Sequence, residues 1–166
     1  HGELMGDHHL WRKSLPYEGS ARVPLILNGP IPGLLKSAAR SEAVELRDIM
    51  PTLLESAGLP VPESVEGRSF LGLARGQAPA KPWRPHIHGE HTVHGGSAHW
   101  LTDGREKYVW MSWDGHEQLF DLSADSQELH DLARDPVHAP RLQPWRQRLI
   151  RELTGREEGF VADGRL

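Results

Sequence analysis

Residues 1–13, HGELMGDHHLWRK, gather three histidines, two carboxylates and a lysine in one short stretch. Imidazole and carboxylate are ligands for a divalent cation, and an ammonium offers an anion a point charge with three donors. A cation beside a lysine suits hydrolysis of an anionic ester, in which negative charge builds on the transferred group and on the leaving oxygen. The ligands follow no compact spacing of the His-Glu-x-x-His kind, so a self-contained metal site is not expected. A solvated polar loop accounts for the same composition.

A second cluster, His86-Ile87-His88-Gly89-Glu90-His91 with His94 just beyond, nearly spells His-x-His-x-Asp-His. In the metallo-β-lactamase fold that pattern holds two zinc ions that activate water. That fold also needs long flanking β-layers and further ligands downstream, whereas the sequence after His91 is taken up by other elements. Asp7-His8-His9 matches the triplet of the DHH phosphoesterases, but there it closes a hydrophobic strand, and here Leu4-Met5-Gly6 precedes it. The context opposes both matches.

Composition narrows the alternatives further. The 166 residues are 37% apolar with 17 glycines and 13 prolines, which describes a loop-rich chain with a modest core. A formal net charge of -4 with both signs interspersed offers no basic face to nucleic acid. No apolar run reaches membrane-span length, and no signal-peptide pattern opens the chain. The absence of cysteine excludes disulfides and thiolate metal sites, and leaves the compartment open.

Two kinds of element must position the clusters. Residues 23–27 (VPLIL) read as a buried strand and residues 43–46 as another, followed by a helix from an Asp48 N-cap to about Ala57, with Pro51 in its first turn. Further along, residues 98–102, 105–112 and 117–122 are strand-like, joined by Asp103-Gly104 and Asp114-Gly115, the pairs that favour hairpin turns. Residues 86–92 supply a fourth strand. Leu142, Trp145, Leu149, Ile150 and Leu153 form the stripe of a closing helix that ends before Gly155. The expected class is α/β, α+β within these residues: the last strands and helix of an α/β core, then a small four-stranded antiparallel sheet with a C-terminal helix. The expected divisions are 1–60, a linker at 61–85, and 86–166. Trp100, Trp110, Trp113 and Trp145 read as packing residues, and Glu18 with Arg22 as a structural ion pair.

Taken in order, the blocks resemble the sulfatase branch of the alkaline phosphatase superfamily. His1-Gly2-Glu3, Gly6, His8 and Lys13 fall where that family carries Asp-His-Gly-Glu-x-x-Gly-x-His-x-x-x-x-Lys. Residues 18–24 (EGSARVP), 48–54 (DIMPTLL), Gly67-Arg68-Ser69, and Leu119-Phe120-Asp121-Leu122 with Glu128 and Asp131-Leu132-Ala133 continue the likeness through nearly the whole chain.

The resemblance implies hydrolysis of a sulfate monoester, small-molecule or carbohydrate, to alcohol and sulfate. It makes His1 a metal ligand beside an Asp expected just before it, Lys13 a contact to the transferred sulfate, and His8 a member of the same pocket. His88 and His91 become candidates for substrate contact from a loop over the site. The implied metal is Ca²⁺, with Mg²⁺ or Mn²⁺ as alternatives because imidazole is not a hard-cation ligand. The implied nucleophile is formylglycine made from a Cys/Ser-x-Pro-x-Arg motif. Ser14-Leu15-Pro16-Tyr17-Glu18 has Glu where Arg is required, so the nucleophile and the rest of the catalytic domain are expected upstream, and these residues alone are expected to be inactive. Alternatives are a phosphonate or phosphate ester hydrolase of the same superfamily, the dinuclear zinc hydrolase, and a non-enzymatic interaction domain built from the sheet and helix.

Overall fold

Asp103 and Asp114 turn the chain with their own side chains. Asp103 Oδ1 accepts from the N–H groups of Arg105 and Glu106, both at 2.8 Å, and Asp114 Oδ1 accepts from His116 N–H at 2.9 Å. The computed structural model describes residues 1–79, 81–93 and 95–166. His94 of the second histidine cluster lies outside the described residues. Compact packing divides the chain into His1–Pro24 with His88–Leu166, and Leu25–Ile87. The opening residues therefore pack with the C-terminal sheet.

In the first unit, after the short helix α1 (Glu18–Ala21), β1 (Ile87–Val93, which starts one residue before the unit's second segment), β2 (Gly96–Thr102), β3 (Glu106–Met111) and β4 (Glu117–Asp121) form one sheet in the order β1-β2-β3-β4. β2 pairs antiparallel with β3, Leu101 opposite Tyr108, and β3 with β4, Tyr108 opposite Leu119. The two-residue period of a strand sorts side chains between two covered faces. On one face Leu101, Tyr108, Trp110 and Leu119 pack against Leu142, Trp145, Leu149 and Leu153 of the closing helix, α4 (Ala139–Leu153). On the other, Ala98, Val109, Met111, Phe120 and Leu122 meet Leu4 and Tyr17 of the N-terminal segment.

Helix α4 is also tied down by charge. Arg141 bonds Glu106 and Asp121, Arg146 grips Glu117, and Trp145 Nε1–H donates to Glu106 at 2.7 Å. Pro140 occupies the first turn, and Pro144 is accommodated inside the 15-residue helix. Trp110 and Trp145 are buried as expected, while Trp113, on the β3–β4 turn beside Gly96, is 47% exposed.

In the second unit the helix read from residues 48–57 is α2 (Ile49–Ser56). Asp48 directly precedes α2, but its side chain makes none of the expected cap hydrogen bonds to that helix and serves another network. Fully buried, it accepts from Glu45 N–H at 2.9 Å, from Arg68 N–H at 2.8 Å, and from both guanidinium nitrogens of Arg84 at 2.6 Å. A short helix, α3 (Leu71–Ala74), follows, with Leu71 and Leu73 buried. The strands expected at 23–27 and 43–46 do not form: both segments are irregular, and Leu25 and Ile26 are 45% and 85% exposed. A strand needs a neighbour to take its N–H and C=O groups, and among the described residues none lies beside them. No described helix is long and apolar enough to cross a membrane.

Candidate functional site

The opening stretch is held as a loop by its own backbone. Gly2 N–H donates to Ser20 O at 2.9 Å, Glu3 N–H to Gly19 O at 2.9 Å, and Leu4 N–H to Arg12 O at 2.8 Å. Residues 1–4 thus run between residue 12 on one side and residues 19–20 on the other. Gly2 is required there, since a Cβ would stand 2.2 Å from Gly19 O. Leu4, 1% exposed, anchors the loop on the sheet.

The loop between those contacts is strained. Met5, His8, His9 and Arg12 all adopt positive φ, at 51°, 53°, 60° and 70°, a region that costs a residue with a Cβ roughly 1 kcal/mol or more. Four such residues within eight positions persist because packing and hydrogen bonds over-determine them, and such clusters mark functional loops more often than plain connections. Asp7-His8-His9 is one 3₁₀ turn here and ends no strand, which removes the DHH phosphoesterase match.

Within this frame the candidates take different places. His1 is exposed, its Nδ1 2.9 Å from Gly2 O. Lys13 is exposed and among the described residues makes no ion pair, so its ammonium is free for an anion. His8 is half-buried, its ring stacked on Tyr17 at 3.8 Å and 11°, and its Nε2 3.1 Å from Gln127 O. Tyr17 donates its hydroxyl to Gln118 Oε1 at 3.1 Å, and burial pushes its ionisation above the usual phenol range.

Beneath the loop lies a charged cluster. Lys107, 1% exposed in the middle of β3, places Nζ 2.5 Å from Glu18, 2.8 Å from Glu128 and 2.9 Å from Pro16 O. Glu128 also accepts the backbone N–H of Glu18 at 2.5 Å. Burial raises the Glu128 carboxyl above its ordinary value against the pull of the Lys107 ammonium. The expected Glu18–Arg22 pair is the looser one, at 3.5 Å with Arg22 74% exposed. Glu18 braces the loop chiefly through Lys107.

The second histidine cluster does not assemble as its spacing suggests. His88 and His91 lie three apart on β1 and so point to opposite faces of the sheet. His91 is exposed and shares the face of Gly89, which lies against the Trp100 ring; a Cβ at Gly89 would be 2.2 Å from that ring. On the opposite face His88 Nε2 approaches His99 Nδ1 of β2 at 3.3 Å, and Glu90 approaches the same nitrogen at 3.6 Å. His88, Glu90 and His99 form a group able to hold a metal ion. His99 escaped the sequence reading because it stands alone between apolar residues; the sign was a polar residue at an inward position of a strand. His86 and His91 stay out of that group, and a four-stranded antiparallel sheet with one helix is not a metallo-β-lactamase layer.

Comparison with known proteins places this geometry in a family. Residues 6–155 match the family model of the C-terminal region of N-sulphoglucosamine sulphohydrolase. The chain is 44% identical over 169 residues to an arylsulfatase of Clostridium perfringens, covering 100% of this chain and 34% of that protein. Among solved structures, a protein assigned to the sulfatases from Bacteroides thetaiotaomicron superposes with a TM-score of 0.83 at 28% identity, over 93% of this chain and 34% of that one. A phosphonate monoester hydrolase from Silicibacter pomeroyi superposes with a TM-score of 0.79 at 29% identity, over 92% and 33%. The chain thus spans about a third of the length of these relatives. In motif order, fold and sequence, it belongs to the sulfatase family as the C-terminal portion of an arylsulfatase-like member.

Proposed function

We propose that the full-length protein hydrolyses sulfate monoesters, aryl or carbohydrate, to alcohol and inorganic sulfate. In this reading residues 1–60 close the catalytic core, 61–85 link, and 86–166 form the C-terminal subdomain, with formylglycine as the nucleophile supplied by sequence outside these residues. The observation that carries it is the loop pairing of Leu4 with Arg12, which keeps His1 and the unpaired Lys13 on one strained loop in a chain 44% identical to an arylsulfatase.

The roles follow from the chemistry of each side chain. Lys13 binds the sulfate and offsets charge that grows on its oxygens. His1 is the cation ligand, and its donor pattern fits: Nδ1 engages the Gly2 carbonyl, which leaves Nε2 for a metal, the usual arrangement of a ligating imidazole. The ion proposed is Ca²⁺, with Mg²⁺ or Mn²⁺ as the alternatives; when bound it supplies Lewis-acid neutralisation of the sulfuryl oxygens. His8, stacked on Tyr17 with Nε2 against Gln127 O, holds the loop's shape. His91, exposed on the sheet face that carries the N-terminal loop, is the proposed substrate contact.

A second reading, phosphonate monoester hydrolysis, is favoured by the likeness to the Silicibacter enzyme. Full-length protein assayed against matched aryl sulfate and aryl phosphonate esters separates the two. The proposal expects sulfate release that stops on chelation and returns with Ca²⁺; phosphonate cleavage without sulfate release would overturn it.

A further inference from the structure

Three side chains of metal-ligand type converge on the sheet face opposite the N-terminal loop. His88 and Glu90, two apart on β1, point the same way, and His99 on the paired strand β2 points toward them. Ligands bound 2.0–2.1 Å from a tetrahedral zinc ion stand about 3.3 Å from one another. The His88 Nε2 to His99 Nδ1 separation is 3.3 Å, the His99 Nδ1 to Glu90 Oε2 separation is 3.6 Å, and all three donor atoms lie within 4.8 Å of one another. We propose that His88, Glu90 and His99 form a site for a divalent transition metal, Zn²⁺ by its two-imidazole, one-carboxylate donor set, with the fourth position open to water.

The surroundings suit a cation. His99 is 1% exposed, and its Nε2 is buried without a hydrogen-bond partner among the described residues, edge-on to Phe160. Its polar function is therefore delivered through Nδ1 alone, into the cluster. An imidazole buried with one nitrogen unsatisfied carries a desolvation cost that a leucine at that inward position would avoid. Arg156 bonds Glu90 at 2.5 and 3.2 Å, and it also bonds Glu158 at 2.7 Å. Two carboxylates to one guanidinium leave this patch with one net negative charge, and Arg156 can keep Glu158 while Glu90 turns an oxygen to the metal. β1 is the edge strand and Glu90 is 46% exposed, which leaves the site an entry path.

The site does not rest on the sulfatase reading and uses neither His1 nor Lys13. Full-length protein, stripped by chelation, is titrated with Zn²⁺ and separately with Co²⁺, in the wild type, His88→Ala, Glu90→Gln and His1→Ala. The expected result is a Zn²⁺ equivalent and tetrahedral Co²⁺ absorption that persist in His1→Ala. Both are expected to weaken at least tenfold in Glu90→Gln, which keeps the side-chain shape, and to be lost in His88→Ala. Zn²⁺ stoichiometry and Co²⁺ absorption unchanged in both β1 variants would overturn the proposal and leave the cluster a hydrogen-bonded one. A wild type whose bound metal disappears entirely with His1→Ala would do the same.

Discussion

Lys107 Nζ and Glu128 Oε1 meet at 2.8 Å with both side chains 1% exposed, directly under the loop that carries Lys13. Buried ion pairs gain little over an apolar pair of equal size, yet breaking one strands a charge and costs about 3–5 kcal/mol. Lys107→Met in the full-length protein leaves the buried Glu128 carboxylate without its cation, and is therefore expected to lower the melting temperature by many degrees. The double variant Lys107→Met/Glu128→Leu should recover part of that loss, Glu18 still lacking its lysine. A double variant no more stable than the single one would show that the pair is not the source.

Lys13→Ala is expected to reduce kcat and kcat/KM together by roughly 10², with the melting temperature unchanged, because the exposed ammonium braces no structure and acts where charge develops. Steady-state kinetics on an aryl sulfate check this. Unaltered constants would take Lys13 out of the reaction.

His99 makes stability depend on pH in a defined window. Its folded value, about 4, lies below the ordinary value of 6.5, chiefly through burial. The folded state therefore disfavours the proton. The stability from burying the neutral ring is fully present above pH 6.5 and is lost as pH falls toward 4. Thermal melts of metal-free protein across that range should fall, and His99→Leu should flatten the slope; an identical slope would assign it to other groups.

Gly89→Ala is expected to destabilise by about 1–3 kcal/mol, because the added methyl enters the Trp100 ring. Gly89→Ala combined with Trp100→Leu should restore part of the loss, as urea unfolding would reveal.

The hairpins, α2 and α4 were legible because their signals are local: Asp-Gly pairs, an apolar stripe at helical spacing, prolines in first turns. Lys107 and His99 were not. A polar residue in a strand reads as outward-facing, and only Glu18 and Glu128, or His88 and Glu90, brought from elsewhere in the chain, make an inward position tolerable. The motif order identified the family, while the placing of His88 and His91 on opposite faces of the sheet became visible only with the strand's alternation. Residues 23–27 and 43–46 have strand composition, yet composition supplies no hydrogen-bonding neighbour.

Metal content and turnover, measured on the same preparation of full-length His1→Ala and wild type, test the loop site most directly. The account predicts that the variant loses close to one equivalent of Ca²⁺ and most of its sulfate release while staying folded, and that excess Ca²⁺ restores part of the rate. A variant that holds the wild-type metal content and hydrolyses sulfate esters at the wild-type rate would contradict it.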